Sequence, residues 1–224
     1  HRAGVTFVAA TDHDRITDLA EMRALYPEMV LLEGFEYSTR ENIVFAGEHV
    51  PPLHELPLEE ALKRAGGEIV TIVCHPKPRA SGTPYWTYGK LAALGIWPDG
   101  IEIYNGHYGT EVARTNGRQP LGTELWDEVL TAGHRLWGYA NDDFHDPDDF
   151  GNAWNMVQVE EATPAAIVAA ARTGRCYATT GLLLRELSID RECVHVELAD
   201  VARGVFGGPG GERLATSGGT SFEY

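Results

Sequence analysis

Long apolar runs are missing from this 224-residue chain. None approaches the roughly 20 consecutive residues that cross a bilayer, which excludes a membrane-embedded helix. Positive charge is scarce as well. Lys and Arg number 18 against 33 Asp and Glu, and the formal net charge of −15 repels polyanions, so no nucleic-acid partner is expected. Cysteine is limited to Cys74, Cys176 and Cys193, odd in number and widely spaced. They form neither a disulfide framework nor a zinc-knuckle spacing, and the expectation is a reducing compartment, the cytoplasm. Internal repeats and low-complexity linkers are absent too. What remains is long enough for one large domain and its core, with room for an appendage. Oligomeric state leaves no trace in such features.

Acid is concentrated instead. Residues 138–155 run Gly-Tyr-Ala-Asn-Asp-Asp-Phe-His-Asp-Pro-Asp-Asp-Phe-Gly-Asn-Ala-Trp-Asn, directly after the apolar run 136–140. Carboxylates and an imidazole packed this closely repel unless a cation neutralises them. Asp143 and His145, two apart, suit one metal bound by both or two neighbouring metals. The bland reading is a solvated acidic loop, and it is the one preferred for Asp146, Asp148 and Asp149. Asp142 stays open among ligand, a partner orienting a histidine, and solvated acid.

Apolar runs at 5–10, 29–32, 43–46, 69–73, 100–103, 136–140 and 154–159 read as strands. Helices are expected over 16–25, 58–65, 88–94, 124–132 and 163–174, the last behind a Thr163 cap and Pro164. Alternation of this kind argues for parallel βαβ units. The junctions at Gly66 and Gly133 read as left-handed helix ends before a strand, and Gly4 looks the same. By that analogy residues 1–3 are the tail of a helix, preceded in the intact protein by a further strand. Five runs end in polar clusters at the carboxyl end: Asp12-His13, Glu33 to Ser38, His75 to Arg79, Tyr104 to His107, and Asn141 to His145. In α/β barrels that rim carries the active site. Lys77 and Arg79, beside His75, are able to grip a substrate phosphate or carboxylate, or are plain surface charge. Asp12, Tyr104, Asn105 and His107 are candidate pocket residues. From residue 182 the alternation Leu187, Ile189, Val194, Val196, Leu198 and the glycines of 204–211 describe a small antiparallel β appendage, which divides the chain into 1–181 and 182–224.

The pieces Thr11-Asp12-His13, Gly34-Phe35-Glu36, Cys74-His75-Pro76, Ile101-Glu102-Ile103-Tyr104-Asn105-Gly106 and Asn141-Asp142-Asp143-Phe144-His145 resemble, in order, the polymerase-and-histidinol-phosphatase family of metal-dependent hydrolases. The likeness covers about residues 4–181. Within the family, the branch containing carbamate-ester and amide hydrolases is the most similar. The resemblance implies a distorted (β/α)7 TIM-like barrel, here without its first strand and that strand's His-x-His pair. It also implies two or three divalent ions (Zn, Mn or Fe), with His13, Glu36, His75, Asp143 and His145 as ligands and Glu36 bridging. Many members carry a further histidine near 42–46, where this chain has Asn42.

The function expected is phosphoester hydrolysis on a small molecule. Hydroxide generated between two cations would attack phosphorus, with Asp143, His145, Lys77 and Arg79 at the reaction centre. The alternatives are a carbamate, amide or carboxylic ester hydrolase on the same centre, which a pocket lined by Tyr85, Trp86, Tyr88 or Trp97 would favour, and a non-catalytic metal-binding domain.

Overall fold

The structure, a computed structural model, describes residues 4–80, 82 and 84–224. The expectation for residues 1–3 lies outside them. The chain runs through β1 (Phe7–Ala9), α1 (Ala20–Leu25), β2 (Val30–Tyr37), β3 (Ile43–Gly47), α2 (Leu58–Ala65), β4 (Ile69–Val73), α3 (Tyr88–Ala93) and β5 (Gly100–Asn105). There follow α4 (Gly106–Gly109), α5 (Glu111–Thr115), α6 (Thr123–Thr131), β6 (Trp137–Asn141), β7 (Trp154–Val157), α7 (Pro164–Arg172) and β8 (Cys176–Thr179). The last elements are β9 (Leu184–Ile189), β10 (Val194–Gly207) and β11 (Arg213–Glu223). Among the described residues no helix is long and apolar enough to cross a membrane.

The expected seven-fold barrel is not what forms. Strands β1 to β6 lie in sequence order in one mixed, half-barrel sheet, while β7 pairs only with β8 and β9 to β11 make a third sheet. The cause is connection length. Only residues 38–42 separate β2 from β3, far short of the dozen or so that a parallel crossover needs. Strand β3 therefore runs antiparallel to β2, and β4 antiparallel to β3; the pairs β1–β2, β4–β5 and β5–β6 are parallel. Strand β7 meets β6 through one side chain. Asn155 donates to the Ala140 carbonyl (2.7 Å) and accepts from its N–H (3.0 Å), standing in for a ladder partner.

Alternation along each strand divides the core in two. Phe35, Phe45, Ile43, Val73 and Ile101 face α2, α3 and α6 on one side of the sheet. On the other, Leu32, Ala46, Val70, Ile72 and Tyr139 receive Ile167, Val168 and Ala171 of α7. Gly66 and Gly133 adopt φ of +61° and +91°, as the junction pattern requires. Helix α1 is shorter than expected, because Asp12 accepts from Thr17 and Asp18 from the Ala20 N–H, which holds 12–19 as a loop. The terminal sheet, ordered β11-β10-β9, buries Leu198 and Phe222 and touches α6 where Gly210 N–H donates to Thr131 Oγ1 (2.7 Å).

Candidate metal centre

One rim of the sheet gathers the polar residues, and the mixed topology decides which. Parallel strands deliver side chains at their carboxyl ends. Antiparallel β3 delivers the residue before its start, Asn42, which is buried beside Glu36 and donates to its carboxylate. Asn42 Oδ1 in turn accepts from the Tyr85 hydroxyl. Beyond β1 the chain stays in register with β2: Glu36 N–H donates to Asp12 O (3.1 Å) and Asp14 N–H to Glu36 O (2.9 Å). That register sets His13 beside Glu36, with His13 Nδ1 3.8 Å from Glu36 Oε2.

Glu36 is 6% exposed and meets His75 as well, at 3.1 Å from its Nε2. Burial alone would raise the Glu36 carboxyl, but its bond to His75, the imidazole charge and the Asn42 amide pull it below the usual range. For His75, burial works against the charge and is outweighed by the bond to Glu36 and by Glu102, Glu36 and Asp143, so it is raised. Among the described residues His75 Nδ1 has no hydrogen-bond partner, although it is buried. Tyr85 and Tyr108 pack against this ring at 5.7 and 5.5 Å between centroids, and the Arg118 guanidinium lies 4.8 Å over Tyr108.

A second group adjoins the first. The His145 and His13 rings are 6.3 Å apart, and those of His145 and His107 4.9 Å. His145 Nδ1 donates to the Asp143 carbonyl (2.7 Å), and His107 Nδ1 reaches both oxygens of Asp149 (2.9 and 3.0 Å). Each imidazole thereby spends Nδ1 on a protein acceptor and keeps the Nε2 lone pair. His107, His145 and Asp149 offer ligand atoms within 4.8 Å of one another, one possible metal-binding group. Asp149, expected to be solvated, is 2% exposed. It also accepts from the His145 and Asp146 N–H groups (2.8 and 2.9 Å). Burial raises its carboxyl, but these donors together hold it below the usual range.

Behind both groups lies Glu102, also 2% exposed. It accepts from His75 N–H (2.7 Å), Asn105 Nδ2 (3.0 Å) and Asn141 Nδ2 (2.9 Å). Asn105 Nδ2 bridges onward to Asp143 Oδ2 (3.0 Å), while its Oδ1 caps α4 at Tyr108 N–H (2.9 Å). Burial pushes the Glu102 carboxyl up to about 7, against the opposing pull of His75 and the two asparagines. Among the described residues three non-glycines have left-handed backbones, Asp14 (φ +47°), His75 (+25°) and Asp143 (+51°); two are expected ligands. Strain of this kind gathers at functional sites.

The structure thus brings together His13, Glu36, His75, Asp143 and His145, and adds His107. Other expected residues are engaged elsewhere. Asp12 bonds Thr17 and Arg15, and Asp142 holds the Gly151 and Ala153 N–H groups (both 2.9 Å). Tyr104 lies against Gly109 and bridges to Leu121. Lys77 pairs with Glu124 (2.8 Å), and Arg79 is exposed and bridges through its backbone to Arg118. Trp86 is in the core, with its indole N–H on the Asn42 carbonyl (3.0 Å), and Tyr88 and Trp97 pack on His134. Sequence reasoning missed Glu102, Asn42 and Asp149. An acid between two isoleucines inside a buried strand was the available sign for Glu102, and the Asp-Pro-Asp-Asp cap pattern the sign for Asp149. In comparisons with known proteins, no family model and no curated sequence matches this chain.

Proposed function

We propose that this chain is a metal-dependent hydrolase acting on a phosphoester of a small molecule, related to the polymerase-and-histidinol-phosphatase enzymes that its motifs resemble. The observation that carries the reading is Glu36 set between His13 (3.8 Å) and His75 (3.1 Å), beside the His145, His107 and Asp149 group. The donor set fits a cation. Mixed imidazole and carboxylate groups suit Zn, Mn or Fe. The buried Nδ1 of His75 has no hydrogen-bond partner among the described residues, and His107 and His145 are both held with Nε2 lone pairs open.

His13, Glu36, His75, Asp143, His145 and His107 would hold two or three ions. Bound there, a divalent cation supplies Lewis acidity, lowering the pKa of water and polarising the ester. The chain's own groups do the rest. Asn42 and His75 fix the Glu36 carboxylate, Asn105 fixes that of Asp143, and Asp149 fixes the tautomer of His107. Tyr85 and Tyr108 wall the His75 ring from water. The three cysteines are free thiols, and a reducing, cytoplasmic setting with a small-molecule substrate belongs to the same reading.

A second reading, hydrolysis of a carbamate, amide or carboxylic ester, is favoured by one observation. Lys77, the cation nearest in sequence to His75, is neutralised by Glu124, while tyrosines flank the imidazole. The test is turnover by metal-loaded protein of p-nitrophenyl phosphate, bis-p-nitrophenyl phosphate and a naphthyl carbamate. Hydrolysis of the phosphates, abolished in His75→Ala and Asp143→Ala, is expected. Cleavage of the carbamate alone selects the second reading, and no metal uptake removes both.

A further inference from the structure

Glu102 belongs to none of the candidate ligands, yet it is a buried carboxylate at the rim that three donors converge on. Its Oε2 receives His75 N–H and Asn105 Nδ2, and its Oε1 receives Asn141 Nδ2. Every neighbour is a donor. A carboxylate is the only side-chain head of this shape that accepts at both ends; an amide in its place would turn an N–H toward a donor whichever way it faced. Two of the three contacts lead to residues with left-handed backbones. The His75 amide is held directly, and the Asp143 carboxylate is held through the same Asn105 nitrogen. Such conformations persist where surrounding contacts over-determine them.

We infer that Glu102 is a positioning residue of the metal centre, an acceptor-only clasp that locks His75 and Asp143 into the backbone geometry that presents their side chains. This deepens the proposed function and rests on its metal centre. Glu102 acts through its neighbours and not on substrate. Because its two oxygens serve both ligand-bearing segments, disturbing it loosens both at once, whereas a filler of the same shape would leave metal affinity unchanged.

The test is Co2+ titration of the full chain at pH 8, followed by calorimetry and visible absorption, on wild type, Glu102→Gln and Glu102→Asp. Glu102→Gln is expected to bind Co2+ about 10- to 100-fold more weakly, the usual loss when a residue orienting a ligand is removed, with an altered spectrum. Glu102→Asp keeps an acceptor-only head and is expected to recover part of the loss; equal loss in both variants overturns the acceptor-only argument. A folded Glu102→Gln protein with wild-type affinity and spectrum overturns the inference and leaves the metal centre standing. A wild type that takes up no Co2+ overturns the metal centre, and the inference with it. Should Glu102→Gln not fold, Asn105→Ala cuts the link to Asp143 while Glu102 keeps two donors, and wild-type Co2+ binding in that variant overturns the inference equally.

Discussion

Replacing Asp149 separates stability from metal binding, because its three donors are of two kinds. Oδ2 takes the His145 and Asp146 N–H groups, and both oxygens take His107 Nδ1. Asp149→Ala orphans all three, at about 1–3 kcal/mol for each buried donor that water does not reach. The carboxylate is only 2% exposed, but it lies in a surface loop where a water enters readily, so the net expectation is about 2–5 kcal/mol. Asp149→Asn is milder. Its carbonyl still serves the two backbone donors and its NH2 turns to His107, for about 1–2 kcal/mol, the difference between a charge-assisted and a neutral bond. That NH2 obliges His107 to accept at Nδ1, so the ring proton moves to Nε2 and the lone pair facing a cation is lost. Co2+ affinity should then fall about 10- to 100-fold despite the small change in stability. Urea unfolding without metal gives the first quantity, a Co2+ isotherm the second, and imidazole 15N shifts report the tautomer directly. An Asn variant that binds Co2+ as wild type with the His107 proton still on Nδ1 refutes the reasoning. So does an Ala variant within 0.5 kcal/mol of wild type, about the size of an inert surface change.

Chelation should lower the melting temperature: at a hundredfold excess over Kd a bound ion adds ~2.7 kcal/mol, and for this size of chain that is roughly 5–10 °C, read by calorimetry with and without EDTA. Gly100→Ala is expected to destabilise by about 1–3 kcal/mol or more, since the added methyl would lie 2.6 Å from Tyr139 Cδ2 and 2.5 Å from the Trp137 carbonyl oxygen; thermal unfolding measures it. Glu41 is half-buried, and that burial raises its carboxyl but is more than offset by the pairing with Lys90, so the carboxyl is depressed. Its contribution is present above the unfolded value near 4.5 and is lost as pH falls through the lower folded value. Glu41→Gln should therefore flatten the acid limb of the unfolding free energy, read from urea titrations below pH 4.5, by about 0.2–1 kcal/mol, leaving pH 7 to 8 parallel to wild type.

Much of the local structure was legible because it is local. The runs 58–65 and 69–73 match α2 and β4 to the residue, since helical and strand periodicities are short-range and Gly66 marks the joint between them. The rim was legible for the same reason: a polar residue that follows a buried strand has nowhere else to go. Strand direction was not. A run of five apolar residues reads identically up or down, and only the five-residue connection 38–42 carries the sign, by being too short for a crossover. That single reversal cost the barrel reading and also hid Asn42. In a parallel strand the residue before the run lies at the far end from the chemistry, and the residues that follow the run, with His49 beyond them, lie at the rim. In the antiparallel β3 the two exchange places. His49 sits with Glu33 at the opposite end, 3.4 Å away, and Asn42 binds Glu36 at the rim. Glu102 and Asp149 escaped for a different reason. Their importance lies in how many donors meet them, and those donors, backbone amides among them, come from segments up to 42 residues away in sequence. Ligand-type residues can be found by their chemistry, but the acceptors that hold them in place become visible only when the chain has folded.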